Sequence, residues 1–175
     1  MFNFRFLLPA IAALVLSACA TSPKIQIGQK SGAKMGLFWF SGLNGDQASD
    51  SVARQLLVGG YNLTDLATLN RAVIDTKFNP QQISTDSLAR LRTETGIDFL
   101  LIGSSSALPG LLNFSHAKMS LTLIDVRQGN ILWKTNCGNS IWTGSIGTKG
   151  DIERGASFLV SEFDRDCSEI LKGKR

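Results

Sequence analysis

Apolar residues fall into two spacings along this chain, and each spacing predicts a different kind of element. Met35 to Phe40, MGLFWF, is a short unbroken apolar run ending at Ser41-Gly42, as a strand covered on both faces would. Between Ala48 and Val58 the spacing changes. Val52, Ala53, Leu56 and Leu57 fall on one helical face, with Asp46 or Ser49 available as N-cap and Gly59-Gly60 as the stop. Tyr61 to Thr64 reads as a second brief strand. Asp65 then caps a helix carrying Leu66, Leu69, Ala72 and Val73. After a turn at Asn79-Pro80, STDSLARLRTETG gives a third helix, started by Ser84 or Thr85 and closed by Gly96.

The second half has longer strands. Phe99 to Gly103, within IDFLLIGSSS, is too short for a buried helix and suits a central strand. From Lys118 to Cys137 apolar and polar residues alternate. Met119, Leu121 and Leu123 share one face, and Ile131, Trp133 and Thr135 resume it beyond the turn DVRQGN, which predicts an antiparallel hairpin. Asp151 to Leu171 returns to helical spacing, with Ala156, Leu159, Val160, Phe163, Cys167, Ile170 and Leu171 on one stripe. The order strand, helix, strand, helix, helix, strand, strand, strand, helix predicts a single α/β domain. Its mixed β-sheet has about five strands, includes a C-terminal antiparallel hairpin and is packed with helices.

The residues ahead of this domain follow another rule. Arg5 is the only charge before an apolar stretch, Phe6 to Leu16, that Pro9 interrupts. A membrane-crossing helix needs roughly 20 apolar residues, so this stretch reads as a secretory signal that is cut away. An ordinary signal ends in an A-x-A-like site. Leu16-Ser17-Ala18-Cys19 instead closely resembles the lipobox of bacterial lipoproteins, L-[AS]-[GA]-C. That resemblance implies cleavage before Cys19 and lipid attachment to its thiol. It divides the chain into a signal peptide, 1–18, a lipidated flexible tether, 19–33, and a periplasmic domain, 34–175. Ala20 stands where an aspartate usually retains such proteins at the inner membrane, so the resemblance implies the outer membrane, facing the periplasm. Two or more acyl chains hold a protein on a bilayer where one holds it only reversibly. A buried cysteine closing an ordinary signal is the plainer alternative for Cys19.

Charge and composition change this picture little. The 175 residues carry a net charge of +4, but Lys and Arg are scattered, with a small cluster only at Lys172, Lys174 and Arg175. The charge therefore reads as a solvated surface. Basic and aromatic residues do not interleave, and export removes nucleic acid as a partner. Cys137 and Cys167 make an even pair in a compartment read as oxidising. Cys137 continues the face of Ile131 and Trp133, and Cys167 lies in the stripe of the last helix, so both would point into one core. They form a disulfide candidate, with free core thiols or a metal pair as alternatives. His116 is the only histidine, and no zinc set can be completed.

Catalytic patterns are missing. GSIGTKG, Gly144 to Gly150, lacks the spacing of a phosphate-binding loop, and His116 has no G-x-S-x-G elbow to serve. Asp125 reads as the cap of the hairpin turn, and Asp164 and Asp166 as part of the polar side of the last helix. The sequence predicts no catalytic residue, no metal, no cofactor and no enzyme, while carboxylate pairs formed only in space stay open.

SVARQLLVGG with YNLTDLATLN, then TGIDFLLIGSSS, then SLTLIDVRQGNILWKT resemble in order the segments of periplasmic lipoproteins of the curli-secretion-channel (CsgG) family, from Met35 to Leu171. The resemblance implies an α/β domain shared by that channel, by LpoB-type activators of penicillin-binding proteins and by accessory lipoproteins of envelope machines, none of them an enzyme. For this chain it implies a binding or assembly subunit of an envelope complex. A ring or channel-associated subunit and an activator of cell-wall synthesis are the alternatives. The implied partners are the membrane through the lipid, envelope proteins of unknown identity, and a second copy of the chain. Channel subunits insert long hairpins whose strands each need roughly 9–11 residues. Ser104 to Ala117 and Gly138 to Gly150 hold no alternating pair of that length, so pore formation is not expected. Leu108, Leu111, Leu112 and Phe114 in the first stretch, and Ile141 and Trp142 in the second, place apolar residues where loops are polar. They are interface candidates, or a cover folded over a sheet edge.

Overall fold

A computed structural model describes residues 32–108, 116–138 and 147–171. In chain order the elements are β1 (Met35–Leu37), α1 (Gly45–Val58), α2 (Leu66–Thr76), α3 (Thr85–Thr95), β2 (Phe99–Leu108), β3 (His116–Asp125), β4 (Ile131–Gly138) and α4 (Gly147–Leu171). The sheet order is β1-β2-β3-β4. β1 lies parallel to β2, which requires a crossover, and α1, α2 and α3 supply it. β2, β3 and β4 pair antiparallel. The domain is α/β with a mixed sheet, as the alternation predicts. The brief strand expected at Tyr61 to Thr64 contributes a single parallel bridge, Leu63 to Met35. It closes the outer edge of β1: Met35 N–H donates to Asn62 O at 2.9 Å and Thr64 N–H to Met35 O at 2.8 Å.

Strand alternation sorts side chains onto the two faces of the sheet. Met35, Leu37, Phe99, Leu101, Met119, Leu121 and Leu123 pack in one cluster with Val52 and Leu56 of α1 and Leu159 and Phe163 of α4. Leu100 and Ile124 belong to a second cluster, with Leu69 and Ala72 of α2 and Leu88 and Leu91 of α3. Helices therefore cover both faces. The strand expected over Met35 to Phe40 stops at Leu37, and the chain then crosses close to β2. Gly103 makes this approach possible, because a Cβ there would overlap the Phe40 ring. Ser41 N–H donates to Gly103 O at 3.0 Å, and Ser105 N–H donates to Ser41 O at 2.8 Å.

Local signals start and stop most elements where the residue types place them. The Asp65 carboxylate accepts from Thr68 N–H at 2.8 Å and opens α2. Ser84 and Ser87 form a capping box for α3, and Gly96 ends it at φ +69°. The Asp125 Oδ1 accepts from Arg127 N–H at 2.8 Å and Gln128 N–H at 3.3 Å, making the hairpin turn that Gly129 completes at φ +72°. α1 departs from this rule. It begins at Gly45 after Asn44, a left-handed residue with φ +56° and no side-chain cap bond. Ser49, one of the two expected caps, sits inside the helix and accepts from Phe40 N–H at 2.8 Å, while Asp46 occupies the first turn, where a carboxylate suits the helix dipole.

Two stretches expected as loops are partly regular. β2 continues to Leu108 and β3 starts at His116, with those two residues paired, so much of Ser104 to Ala117 is strand. The ladder outruns the apolar run because Ser104 and Ser106 are exposed on the open part of the sheet, where the backbone bonds alone suffice. α4 begins at Gly147, ahead of the expected Asp151.

Candidate binding surface

The C-terminal half of α4 is fixed to the sheet and to the chain that follows α1 by three aromatic rings. Phe163 is fully buried, with the Tyr61 ring 5.3 Å and the Trp133 ring 5.4 Å from its own. Each neighbour also donates to a carboxylate of α4: Tyr61 O–H to Asp164 Oδ1 at 2.6 Å, and Trp133 Nε1–H to Asp166 Oδ2 at 3.1 Å. Burial, and then the Asp164 carboxylate, push the Tyr61 phenol well above its ordinary range. Asp164 and Asp166 thus act as acceptors for the buried Tyr61 and the half-buried Trp133, a role that the polar stripe of the helix gave no hint of. Arg165 reinforces the second of them, donating to both Asp166 and Glu162 at 2.7 Å, and it holds the Asp166 carboxyl below its usual range.

Above Tyr61, α1 and α4 leave a cleft of about 900 Å³ between them. Val58, Val160 and Tyr61 give it an apolar lining. Arg54 and Gln55 line it from α1, and Glu153, Arg154, Ser157 and Ser161 from α4. Gln55 Nε2–H donates across it to Glu153 O at 3.3 Å. Two arginines and two acids, Glu153 and Asp164, beside an apolar lining make a surface of mixed contacts. Among the described residues, no three His, Cys, Asp or Glu side chains converge as a metal set would, and no helix is long and apolar enough to cross a membrane.

The two cysteines share a core but not a place in it. Both are free thiols. Cys137 lies opposite Met119 across β3 and β4, and its Sγ is 4.0 Å from where a Cβ on Gly155 would stand. α4 follows β3 along the sheet from there, passing Met119 at Gly155 and Trp133 at Phe163. Cys167 comes more than three turns after Gly155, about 18 Å further at 1.5 Å per residue. A bridge requires Cα atoms about 4.4–6.8 Å apart. The expected disulfide between Cys137 and Cys167 is therefore not formed: the shared direction into the core was right, but the helix carries the second thiol to the far end of it. Burial, and then the Asp166 charge, push the Cys167 thiol up to about 12, and burial raises Cys137 as well.

The remaining predicted site residues fall elsewhere. Leu108 is the last residue of β2. Cys19, Leu111, Leu112, Phe114, Ile141 and Trp142 lie outside the described residues. Among the described residues, buried side-chain oxygens of Thr64, Ser105 and Asp151, which the sequence did not single out as sites, have no hydrogen-bond partner.

No protein-family model and no curated protein matches the chain. Solved structures do. A PelC dodecamer from Paraburkholderia phytofirmans superposes with a TM-score of 0.51 at 15% identity, over 81% of this chain and 92% of that one. The lipoprotein GNA1162 from Neisseria meningitidis gives 0.50 at 16% identity, over 77% and 99%. The C-terminal domain of LpoB from Escherichia coli gives 0.46 at 18% identity, over 73% and 90%. The fold is thus one that PelC and the Neisseria lipoprotein also have.

Proposed function

We propose that the protein is an outer-membrane lipoprotein whose periplasmic domain acts by binding, as a non-enzymatic accessory or assembly subunit of an envelope complex. The fold it has in common with the Neisseria lipoprotein is the observation that carries this reading, and the lipobox-like Leu16-Ser17-Ala18-Cys19 supplies the anchor. The mechanism is tethering. Lipid on Cys19 confines the domain to a thin layer beside the bilayer, which raises its effective concentration for a partner in the same layer. The cleft between α1 and α4 offers that partner charges at its sides and an apolar lining.

Cross-linking in cells, followed by affinity capture, tests this with the full chain and a Cys19→Ser variant. The unaltered protein is expected in the outer-membrane fraction with a reproducible partner. Cys19→Ser should leave that fraction and lose the partner by about ten-fold. Equal membrane association and equal capture by both would overturn the proposal. A second reading, assembly into a ring of identical subunits, draws on PelC, which is described as a dodecamer. Light scattering on the detergent-solubilised protein decides it, and a monomer at every concentration would end it.

A further inference from the structure

A second hollow, a slot of about 530 Å³, lies on the neighbouring flank of α1, where the chain leads into α2. Its walls are aliphatic, from Leu37, Ala53, Leu57, Leu63 and Leu66, and its volume falls inside the roughly 300–1,000 Å³ typical of binding pockets. Two observations show what it lacks. Thr64 lines the slot at 8% exposure, and its Oγ1 is buried with no hydrogen-bond partner, an unfavourable state that a rotation of the side chain toward a polar group of an occupant would relieve. The charged side chains around the slot are Asp50, Asp65 and Arg54, and the arginine is turned back onto its own helix, with Nε–H donating to Asp50 O at 3.4 Å and Nη2–H to Ser51 Oγ at 3.3 Å. Asp65 Oδ1 is also engaged, as the cap of α2, but each group keeps its charge, so two carboxylates stand against one cation and the mouth favours a positive charge.

The apolar surface also continues past the slot. Leu57 is 51% exposed, its neighbour Val58 73%, and Arg54 borders both the slot and the cleft. A surface that runs on in this way fits a chain molecule better than a compact one. We propose that the slot docks an extended segment of a protein partner in which an aliphatic residue stands beside a lysine or arginine. The aliphatic side chain packs against Leu37 and Leu63, the cation faces Asp50 and Asp65, and a polar group of the segment pairs with the Thr64 hydroxyl. This deepens the partner-binding reading and rests on it, but not on the membrane anchor.

The test is a titration of the isotopically labelled full chain in detergent micelles, followed by amide chemical shifts. The probes are acetyl-Lys-Leu-Leu-Lys-amide, its Glu-Leu-Leu-Glu counterpart, and hexylammonium. The basic peptide is expected to shift Ala53, Leu57 and Leu66 saturably, about ten-fold more tightly than the acidic one. Asp50→Asn, an exposed change, should reduce that difference to about two-fold. Ala53→Phe should fill the slot and abolish the shifts. Thr64→Val should weaken the basic peptide while leaving the thermal midpoint unchanged or higher, because the hydroxyl has no partner to lose in the free protein. Equal affinity for both peptides, an unaltered titration in Ala53→Phe, or a lower midpoint with unaltered binding in Thr64→Val would overturn the proposal. So would hexylammonium binding as tightly as the basic peptide, which would make the slot a small-molecule site. Cys19→Ser should titrate like the unaltered chain, so the slot and the anchor can fail separately.

Discussion

The two faces of the sheet are built to different ends. Under α1 and α4 the face is apolar along nearly its whole length, from Met35 through Leu101 and Leu123 to Met119, with Ser105, Thr135 and, at the end of β3, Asp125 as the polar exceptions. The opposite face is apolar only where α2 and α3 reach it, at Leu100, Ile102 and Ile124. Beyond them it becomes a lawn of small and charged residues: Ser104, Ser106, Lys118, Lys134 and Asn136 are exposed, and the Ser104 and Ser120 hydroxyls bond to each other at 2.7 Å. The two longer helices, α1 and α4, cover a whole face, whereas the two shorter ones, α2 and α3, cover half of one. The first face therefore holds the domain together, and the second contributes stability only at one end.

That contrast can be broken in a fixed order. The largest effect is expected from Phe163→Ala, which empties the centre of the aromatic trio and should lower unfolding free energy by about 4 kcal/mol in urea titrations. A loss under about 1 kcal/mol would mean that α4 does not anchor the first face. Leu88→Ala, in the second cluster, should cost about 3 kcal/mol. It should do so within the same single transition, because both clusters share the strands of one sheet; two separated transitions would show the faces to be independent units. Tyr61→Phe keeps the ring against Phe163 and removes only the hydroxyl bond to Asp164, for an expected loss of about 2 kcal/mol. At the uncovered end, Ser104→Ala should change stability by less than about 0.5 kcal/mol, and a larger loss would show that this stretch carries weight.

How legible this was from the residues depended on the range of the interaction. Asp65, Ser84 and Asp125 announced their caps because each acts on backbone groups two or three residues away. The hairpin of β3 and β4 was legible from its alternation and from Gly129. Asn44 was not, since its helix starts in a left-handed residue with no capping side chain, and Ser49 had been drawn off to Phe40 N–H. The separation of Cys137 from Cys167 was hidden for a different reason. Helical spacing shows which way a side chain faces, but not where along the sheet the helix sets it down. The cleft and the slot were equally invisible, because Arg54, Tyr61, Thr64 and Asp164 meet there only through the packing of α1 against α4 and against the chain that follows it. The interface candidates and Cys19 remain expectations of the sequence.

A lipid-held binding domain stands or falls with the first residue of the mature chain, and intact mass with peptide sequencing of protein recovered from cell membranes reads that residue directly. The predicted product begins at Cys19 with diacylglycerol on its thiol. A chain that still begins at Met1, or a Cys19 recovered without lipid, would contradict it.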